Sequence, residues 1–172
     1  MVVCGGDDPG CQKVKGGEKM AENNIFNKNF FIISGDSIRL ELINTYEGNE
    51  KELPFYWWHI VLNEKNIKVG KISFRIGNNY HSYYNGNIGY EIDKEYRGNH
   101  YALKACKLVL KVAKYYNMDK IYLTCDFDNI ASSKTIEKLG AKLLDEVKPP
   151  KNYVFYNENM AKQKIYELKI SK

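Results

Sequence analysis

Apolar and polar positions alternate in several stretches of the first half of the chain, which is the pattern of half-buried β-strands. Residues 37–45 alternate with period two. Residues 55–62 and 67–76 are rich in aromatic and β-branched side chains and flank a short polar turn, so we expect them to form an antiparallel hairpin. Residues 77–87 are polar and contain several tyrosines, which predicts a loop, and residues 88–92 predict the next strand.

The strongest periodic pattern is helical and lies at residues 100–116. Apolar side chains recur there every three or four positions, and lysines occupy the other side, which predicts an amphipathic helix of about 16 residues. Asn117 can end this helix in the left-handed conformation. Residues 129–139 predict a second helix, which Gly140 closes.

The remaining strands follow these helices. Residues 120–125 and 141–147 are predicted strands, residues 151–160 an excursion loop, and residues 164–170 a final strand. A strand, a helix and a strand in succession predict a parallel pair with a right-handed crossover. The expected fold class is α/β (α+β): a mixed, mostly antiparallel, twisted sheet flanked by helices, with a central β-α-β-α-β-β segment.

Length and composition indicate one domain in residues 25–172 of the 172-residue chain. Residues 1–24 are polar and glycine-rich, which predicts a poorly ordered leader or a remnant of cloning rather than a signal peptide. The 44% hydrophobic and 27% charged residues exclude a fully disordered or collagen-like chain. The longest apolar runs are far too short for a membrane span, so no membrane partner is expected.

The net charge of +5 comes mostly from lysine, because the chain has only three arginines, Arg39, Arg75 and Arg97. Arginine is the usual residue for forked phosphate or base recognition, so this charge fits a small anionic ligand at least as well as nucleic acid, and we expect no nucleic-acid partner. The four cysteines form no C-x-x-C pair and the histidines show no metal spacing. We therefore expect free thiols, no metal and a cytoplasmic location, the alternative being a metal or disulfide role for Cys4 and Cys11.

Candidate chemistry is concentrated in residues 87–102, where a strand leads through Arg97 and Gly98 into the long helix. The start of a helix exposes unpaired N–H groups and the positive end of the helix dipole. A glycine lets a ligand approach the backbone, and an arginine adds a permanent positive charge. These features predict an anion site suited to a diphosphate. The alternative is an ordinary junction between a loop and a helix.

Two motifs in this half of the chain resemble the GNAT superfamily of acyl-CoA-dependent N-acyltransferases. Residues 97–102, Arg-Gly-Asn-His-Tyr-Ala, are similar to the family's diphosphate motif Arg/Gln-x-x-Gly-x-Gly/Ala. Residues 129–132 and 136–141 resemble its Asn-x-x-Ser and Glu-Lys-Leu-Gly helix. The resemblance is good over residues 86–147, plausible over 37–76 and absent over 1–30.

The resemblance implies a GNAT-like fold, acetyl-CoA as co-substrate and a set of site residues. Backbone groups at Ile92 would pair with the pantetheine arm as an added strand does. Asn129 and Ser132 would bind the pantetheine or phosphate region, although they can equally cap the second helix. The diphosphate would be held by the six motif residues Arg97, Gly98, Asn99, His100, Tyr101 and Ala102.

Three positions depart from the family pattern. His100 replaces the usual fourth-position glycine, Ile136 stands where many members carry a tyrosine acid, and Asn87 stands where some carry a glutamate. Glu91 is the first candidate for the base that accepts a proton from the amine, and its alternative is a solvent-facing strand residue. Lesser candidates are Asp93, His81 and Tyr84.

The sequence predicts an N-acetyltransferase that acts on a primary amine of a small molecule or a peptide. The alternatives are a non-catalytic acyl-CoA-binding module and a basic nucleic-acid binder. Residues 46–54 leave room for about one turn where the family places acceptor-covering helices, so the acceptor site is either open or covered by residues 18–34. A homodimer is a further possible assembly. Of the paired tryptophans Trp57 and Trp58, we expect one in the core and one at an edge.

Overall fold

The first half of the molecule is an antiparallel sheet of five strands. The computed structural model describes residues 25–171. The strands follow one another in the sheet in chain order, so each pairs with its sequence neighbour. They are β1 (Ile32–Ser34), β2 (Ile38–Tyr46), β3 (Phe55–Leu62), β4 (Ile67–Arg75) and β5 (Ile88–Ile92). The predicted hairpin is confirmed as β3 and β4.

A second antiparallel sheet contains the last three strands in the order β6-β8-β7. These strands are β6 (Lys120–Asp126), β7 (Lys142–Val147) and β8 (Gln163–Lys169). The last strand of the chain therefore lies between the two that precede it. The loop predicted after residue 150 is confirmed, because residues 151–160 contain no helix or strand.

Three α-helices accompany the sheets within residues 25–171: α1 (Tyr80–Asn85), α2 (Tyr101–Tyr115) and α3 (Ile130–Lys138). The apolar face of α2 is buried against the first sheet, and its lysines are exposed. Asn117 (φ 52°) and Gly140 (φ 96°) follow α2 and α3 in conformations with positive φ, as predicted. The expected mostly antiparallel fold, with its β-α-β-α-β-β order, is thus confirmed.

Residues near the start of the described chain pack on the core at the carboxyl end of α2. Phe26 makes an edge-on contact with the Tyr56 ring, and the Trp58 indole donates to the Phe30 carbonyl (2.7 Å). Trp58 is fully buried whereas Trp57 is 37% exposed, which confirms the expected division of the pair. Because α2 is about 20 Å long, residues 25–30 lie far from its first turn.

Two local predictions were wrong. Residues 77–87 contain the helix α1, because Asn79 and Ser82 form a reciprocal capping box and Gly86 (φ 70°) follows the last turn. The predicted parallel pair is also absent, since β5 and β6 share no ladder within residues 25–171 and belong to different sheets. The predicted leader, residues 1–24, lies outside the described residues.

Candidate functional site

A cavity of about 460 Å³ lies along the free edge of β5, where the first turns of α2 and α3 meet it. Strand β5 ends its sheet, so one side of the cavity is a strand edge and the other is built from helix termini. The side chains around it are mostly polar or aromatic: Tyr90, Glu91, Ile92, Tyr96, Arg97, Gly98, His100, Tyr101, Ala102, Leu103, Asn129, Ala131, Ser132, Lys134, Thr135 and Lys138.

The edge of β5 presents unpaired main-chain groups to this cavity. The Asp93 N–H donates to the Val69 carbonyl of β4, and the Asn87 carbonyl accepts from the Arg75 amide. Because main-chain groups alternate in direction along an antiparallel strand, Tyr90 and Ile92 point theirs away from β4. Within the described residues their N–H groups have no partner. An extended chain with amide groups can therefore add to this edge as a further strand.

The first turn of α2 is uncapped at the same cavity. Its N-cap residue, His100, makes no side-chain hydrogen bond to the turn and adopts a left-handed conformation (φ 59°, ψ 19°). The N–H groups of Tyr101, Ala102 and Leu103 consequently lack the acceptor that a cap supplies. The positive φ also explains why a glycine fits this motif position better than histidine does.

Gly98 and Arg97 form the approach to this turn. Gly98 has φ 83°, and a Cβ atom built on it would meet no atom within 4 Å. The space beside its backbone is therefore open to a ligand. The exposed Arg97 side chain donates from Nε to the Ile92 carbonyl (2.9 Å), which holds the guanidinium at the end of β5.

Helix α3 begins across the cavity with a capped first turn. The Asn129 side chain accepts from the Ser132 amide (3.0 Å), which confirms the capping interpretation of these two residues. The Ser132 hydroxyl lies 2.8 Å from the Tyr90 hydroxyl. Burial raises the pKa of Tyr90, so its phenol stays protonated at neutral pH and can bind a polar group in the cavity.

Basic side chains outnumber acidic ones around the cavity. Arg97, Lys134 and Lys138 line it, and Glu91 is the one carboxylate among its lining residues. Unpaired N–H groups together with cations favour an anionic ligand. The described residues contain no group of three or more His, Cys, Asp or Glu side chains that could hold a metal ion. No helix in residues 25–171 is long and apolar enough to cross a membrane.

The structure brings nine of the ten predicted site residues to this cavity, and Asn99 is the exception. The Asn99 side chain instead donates to the carbonyls of Tyr96 (3.1 Å) and Arg97 (3.3 Å), within its own loop. Glu91 is exposed and lies opposite Lys71 of β4. Its role as a base and the ligand contacts of the other residues remain predictions.

Asn87 joins three strands at the place where the two sheets meet. It is fully buried, and its N–H and Oδ1 bind the carbonyl and amide of Tyr122, both at 2.7 Å. Its Nδ2 donates to the carbonyls of Arg75 (3.2 Å) and Gly77 (2.7 Å). The position where the resemblance leads one to expect a glutamate in some members is thus a fully hydrogen-bonded asparagine, and β5 and β6 share no ladder beyond it in residues 25–171.

Sequence reasoning missed part of the cavity. Ala131, Lys134, Thr135 and Lys138 form one face of α3, opposite the buried Ser133 and Ile136. Their spacing of three or four residues was a readable signal of a shared face. Tyr90 carried no such signal, because its contact with Ser132 joins residues 42 positions apart. Ile136, the expected site of a tyrosine acid, is a core residue with 1% exposure.

Comparisons with known proteins agree with this fold. No curated protein matches the chain. The acetyltransferase (GNAT family) from Bacillus anthracis has the same fold, with a TM-score of 0.54, 22% identity and coverage of 67% of each chain. An acetyl transferase from Salmonella typhimurium that modifies the N-terminal serine of ribosomal protein L7/L12 gives a TM-score of 0.53 at 18% identity, covering 68% of this chain and 64% of its own.

A third solved structure is the microcin C7 self immunity acetyltransferase in complex with acetyl-CoA and AMP. It gives a TM-score of 0.52 at 19% identity and covers 67% of this chain and 61% of its own. At these identities the three structures establish the fold alone. The model of the acetyltransferase (GNAT) domain matches residues 31–142, which include both sides of the cavity and more than half of the chain. The chain therefore belongs to the GNAT acetyltransferase family.

Proposed function

We propose that the protein transfers the acetyl group of acetyl-CoA to a primary amine of a small molecule or a peptide. The observation that carries this proposal is the continuity of unpaired N–H groups from the edge of β5 to the uncapped turn of α2. A pantetheine arm pairs with N–H groups at a strand edge, and a diphosphate binds N–H groups at the start of a helix. Acetyltransferases of ribosomal protein L7/L12 share the fold, which is consistent with a peptide acceptor.

The residues around the cavity fit acetyl-CoA in three ways. Gly98 and the first-turn amides of α2 would bind the diphosphate, with Arg97 supplying positive charge. The amides of Tyr90 and Ile92 would pair with the pantetheine arm. Strand β5 spans about 13 Å from Ile92 to Ile88, so an extended arm would bring the acyl end close to Gly89, two residues from Glu91. Acetyl-CoA would supply the acetyl group.

The chain must also activate the amine. A neutral amine would attack the thioester carbon, the C–S bond would break, and CoA would leave as the thiolate and take up a proton. A group within reach must accept the proton that the amine loses, directly or through one water. We propose Glu91 for this role, because it is the one carboxylate that lines the cavity. Unpaired amides of β5 would polarise the thioester carbonyl, as donors in an oxyanion hole do.

The Glu91→Gln variant tests this role. It should lower kcat about 100-fold and change the Kd for acetyl-CoA less than twofold, because the carboxylate acts on the amine rather than on the cofactor. Glu95→Gln is the control, since Glu95 is exposed nearby and does not line the cavity. An unchanged kcat would remove Glu91 as the base and leave the cofactor site standing.

A second candidate function is a non-catalytic acyl-CoA-binding module. Two observations favour it: Ile136 is packed in the core and Asn87 is fully bonded, so neither supplies an acid or a base. Calorimetric titration with acetyl-CoA, followed by a CoA-release assay across a panel of amines, separates the two. Binding with turnover supports the enzyme, binding without turnover supports the module, and no binding contradicts both.

A further inference from the structure

Arg75 is a cation without a carboxylate partner at the end of β4. Within the described residues the ion pairs are those of Arg39, Lys120 and Lys162, and Arg75 takes part in none. Its charge is partly desolvated, which lowers its pKa more than the nearby Glu52 carboxylate raises it, and the Phe55 ring lies 5.8 Å from the guanidinium carbon. A partly desolvated cation of this kind gains from a bound anion.

The guanidinium is only partly bonded. With the Asn85 amide turned to present its oxygen, that oxygen accepts from Nε (3.1 Å) and from Nη2 (3.2 Å). No acceptor in residues 25–171 binds Nη1. Two parallel N–H groups are what a carboxylate needs for forked binding, so donors remain for a ligand oxygen.

Arg75 and the proposed acyl site lie next to each other. Nη1 is 3.9 Å from the position that a Cβ atom of Gly89 would occupy. Side chains alternate between the two faces along a strand, so this position is on the face opposite the core-facing side chains of Ile88 and Tyr90. The guanidinium therefore borders the part of β5 where the acyl end would lie, on the side away from α2.

The cleft around Arg75 supplies further polar groups. His81 lines it, and because its Nδ1 accepts from the Val154 amide (3.2 Å), its Nε2 carries the hydrogen and is a donor. Lys51 adds positive charge. Glu52 also lines the cleft, but its carboxylate accepts from Asn49 (3.1 Å) and makes no ion pair with Arg75. The enclosed free volume is about 10 Å³, the space of one water molecule, so one ligand oxygen can enter the cleft and the rest of a ligand lies at its mouth.

We infer that Arg75 and His81 bind a carboxylate of the acceptor, so the preferred substrates are amines that carry a carboxylate. The inference rests on the proposed acetyl transfer, since it names the acceptor class of that reaction. One carboxylate oxygen enters the cleft, the other lies at its mouth beside the guanidinium, and the amine remains on the side of Gly89. Free amino acids and peptides with an acidic residue near the amino terminus both provide this chemistry.

The test compares acceptors in matched pairs: glycine with glycinamide, glutamate with glutamine, and Ala-Asp-amide with Ala-Asn-amide. The carboxylate member of at least one pair should show a kcat/KM about tenfold higher or more, and the successful pair distinguishes a free amino acid from a peptide side chain. Arg75→Gln should abolish the preference through KM and leave the amide acceptors unchanged. Equal kcat/KM values within every pair would overturn the inference.

Arg39→Gln is the matched control, because it removes the same charge from a half-buried ion pair with Glu41 on β2. It should keep the preference. Arg75→Lys retains the positive charge without the forked pair of N–H donors and should keep only part of the preference for carboxylate acceptors. Thermal melts and the Kd for acetyl-CoA show that each variant is folded, and a wild-type protein that fails to bind acetyl-CoA refutes the proposed function rather than this inference.

A binding measurement decides the question without turnover. N-acetylglycine, a product with a carboxylate, is titrated into the ¹⁵N-labelled wild-type protein while the Nε–H signals of the three arginines are followed. The Arg75 signal should shift at millimolar concentration, and N-acetylglycinamide should leave it in place. An unshifted Arg75 signal would overturn the inference even if no amine in the panel is acetylated.

Discussion

Helices α2 and α3 begin at the rim of one cavity, and their first turns are built differently. In α3 the Asn129 side chain caps the Ser132 amide, and neither helix carries an acidic side chain in its first turn. In α2 the N-cap residue His100 makes no such bond and adopts a left-handed conformation. The α3 turn is satisfied within the protein, whereas the α2 turn leaves its amides for a ligand, which is where the proposed diphosphate binds.

The largest effect should come from reversing the charge beside the uncapped turn. Arg97→Glu should weaken acetyl-CoA binding about 100-fold, because a repulsive charge replaces an attractive one. The melting temperature should stay nearly the same, since Arg97 is exposed. Lys111→Glu makes the same charge change on the exposed face of α2 and should leave the calorimetric Kd unchanged. Equal Kd values for both variants would contradict the diphosphate site.

A side chain at Gly98 should have the next largest effect. Gly98→Val places methyl groups in the open space beside the backbone and should raise the Kd for acetyl-CoA about tenfold or more. The positive φ should also cost about 1 kcal/mol of stability. Gly140→Val provides the comparison, because Gly140 also has positive φ but lies after α3. It should lose similar stability in thermal melts and retain the parent Kd.

Replacing the N-cap residue should destabilise the protein more at α3 than at α2. Asn129→Ala should lower the free energy of unfolding by about 1 kcal/mol, because the Ser132 amide loses its acceptor. His100→Ala should lower it by clearly less, because the His100 side chain makes no cap bond. Urea unfolding of both variants measures the difference. If the two losses are equal, the contrast between the capped and uncapped turns is incorrect.

The smallest effect should come from placing at position 100 the glycine of the diphosphate motif that residues 97–102 resemble. His100→Gly relieves the left-handed strain and should stabilise the protein by about 0.5 kcal/mol. Acetyl-CoA should bind at least as tightly, since a side chain leaves the cavity wall. Asn117→Gly, at another residue with positive φ, should give a similar gain in stability with no change in binding. Weaker binding by His100→Gly would show that the imidazole itself contacts the ligand.

Local patterns predicted the elements whose burial repeats regularly along the chain. The 3.6-residue period gave α2, and alternating or β-rich runs gave β2, β3 and β4. Helix α1 has no apolar period; it is held by the Asn79 capping box and by the contact of Tyr83 with Tyr122. Such a helix depends on tertiary contacts, which sequence patterns do not reveal.

The candidate site was predicted where the motifs are continuous in sequence and missed where contacts are long-range. Arg97 to Ala102 form one loop and one turn, so a single stretch of sequence places most of them at the cavity. Asn87 bonds to Tyr122, 35 positions away, and β5 and β6 share no ladder beyond this contact in the described residues. Where the contact between the two strands ends is a long-range feature, and the local patterns that predicted a parallel pair did not show it.

The most direct test follows the backbone amides while CoA is titrated into the ¹⁵N-labelled protein. The account predicts the largest shift changes at Tyr90 and Ile92 on the edge of β5 and at Gly98, Tyr101 and Ala102 around the uncapped turn. Arg97→Glu should suppress these changes at the same CoA concentration. Shifts that cluster elsewhere, or no shifts at millimolar CoA, would contradict the central claim that this strand edge and this helix start form one cofactor site.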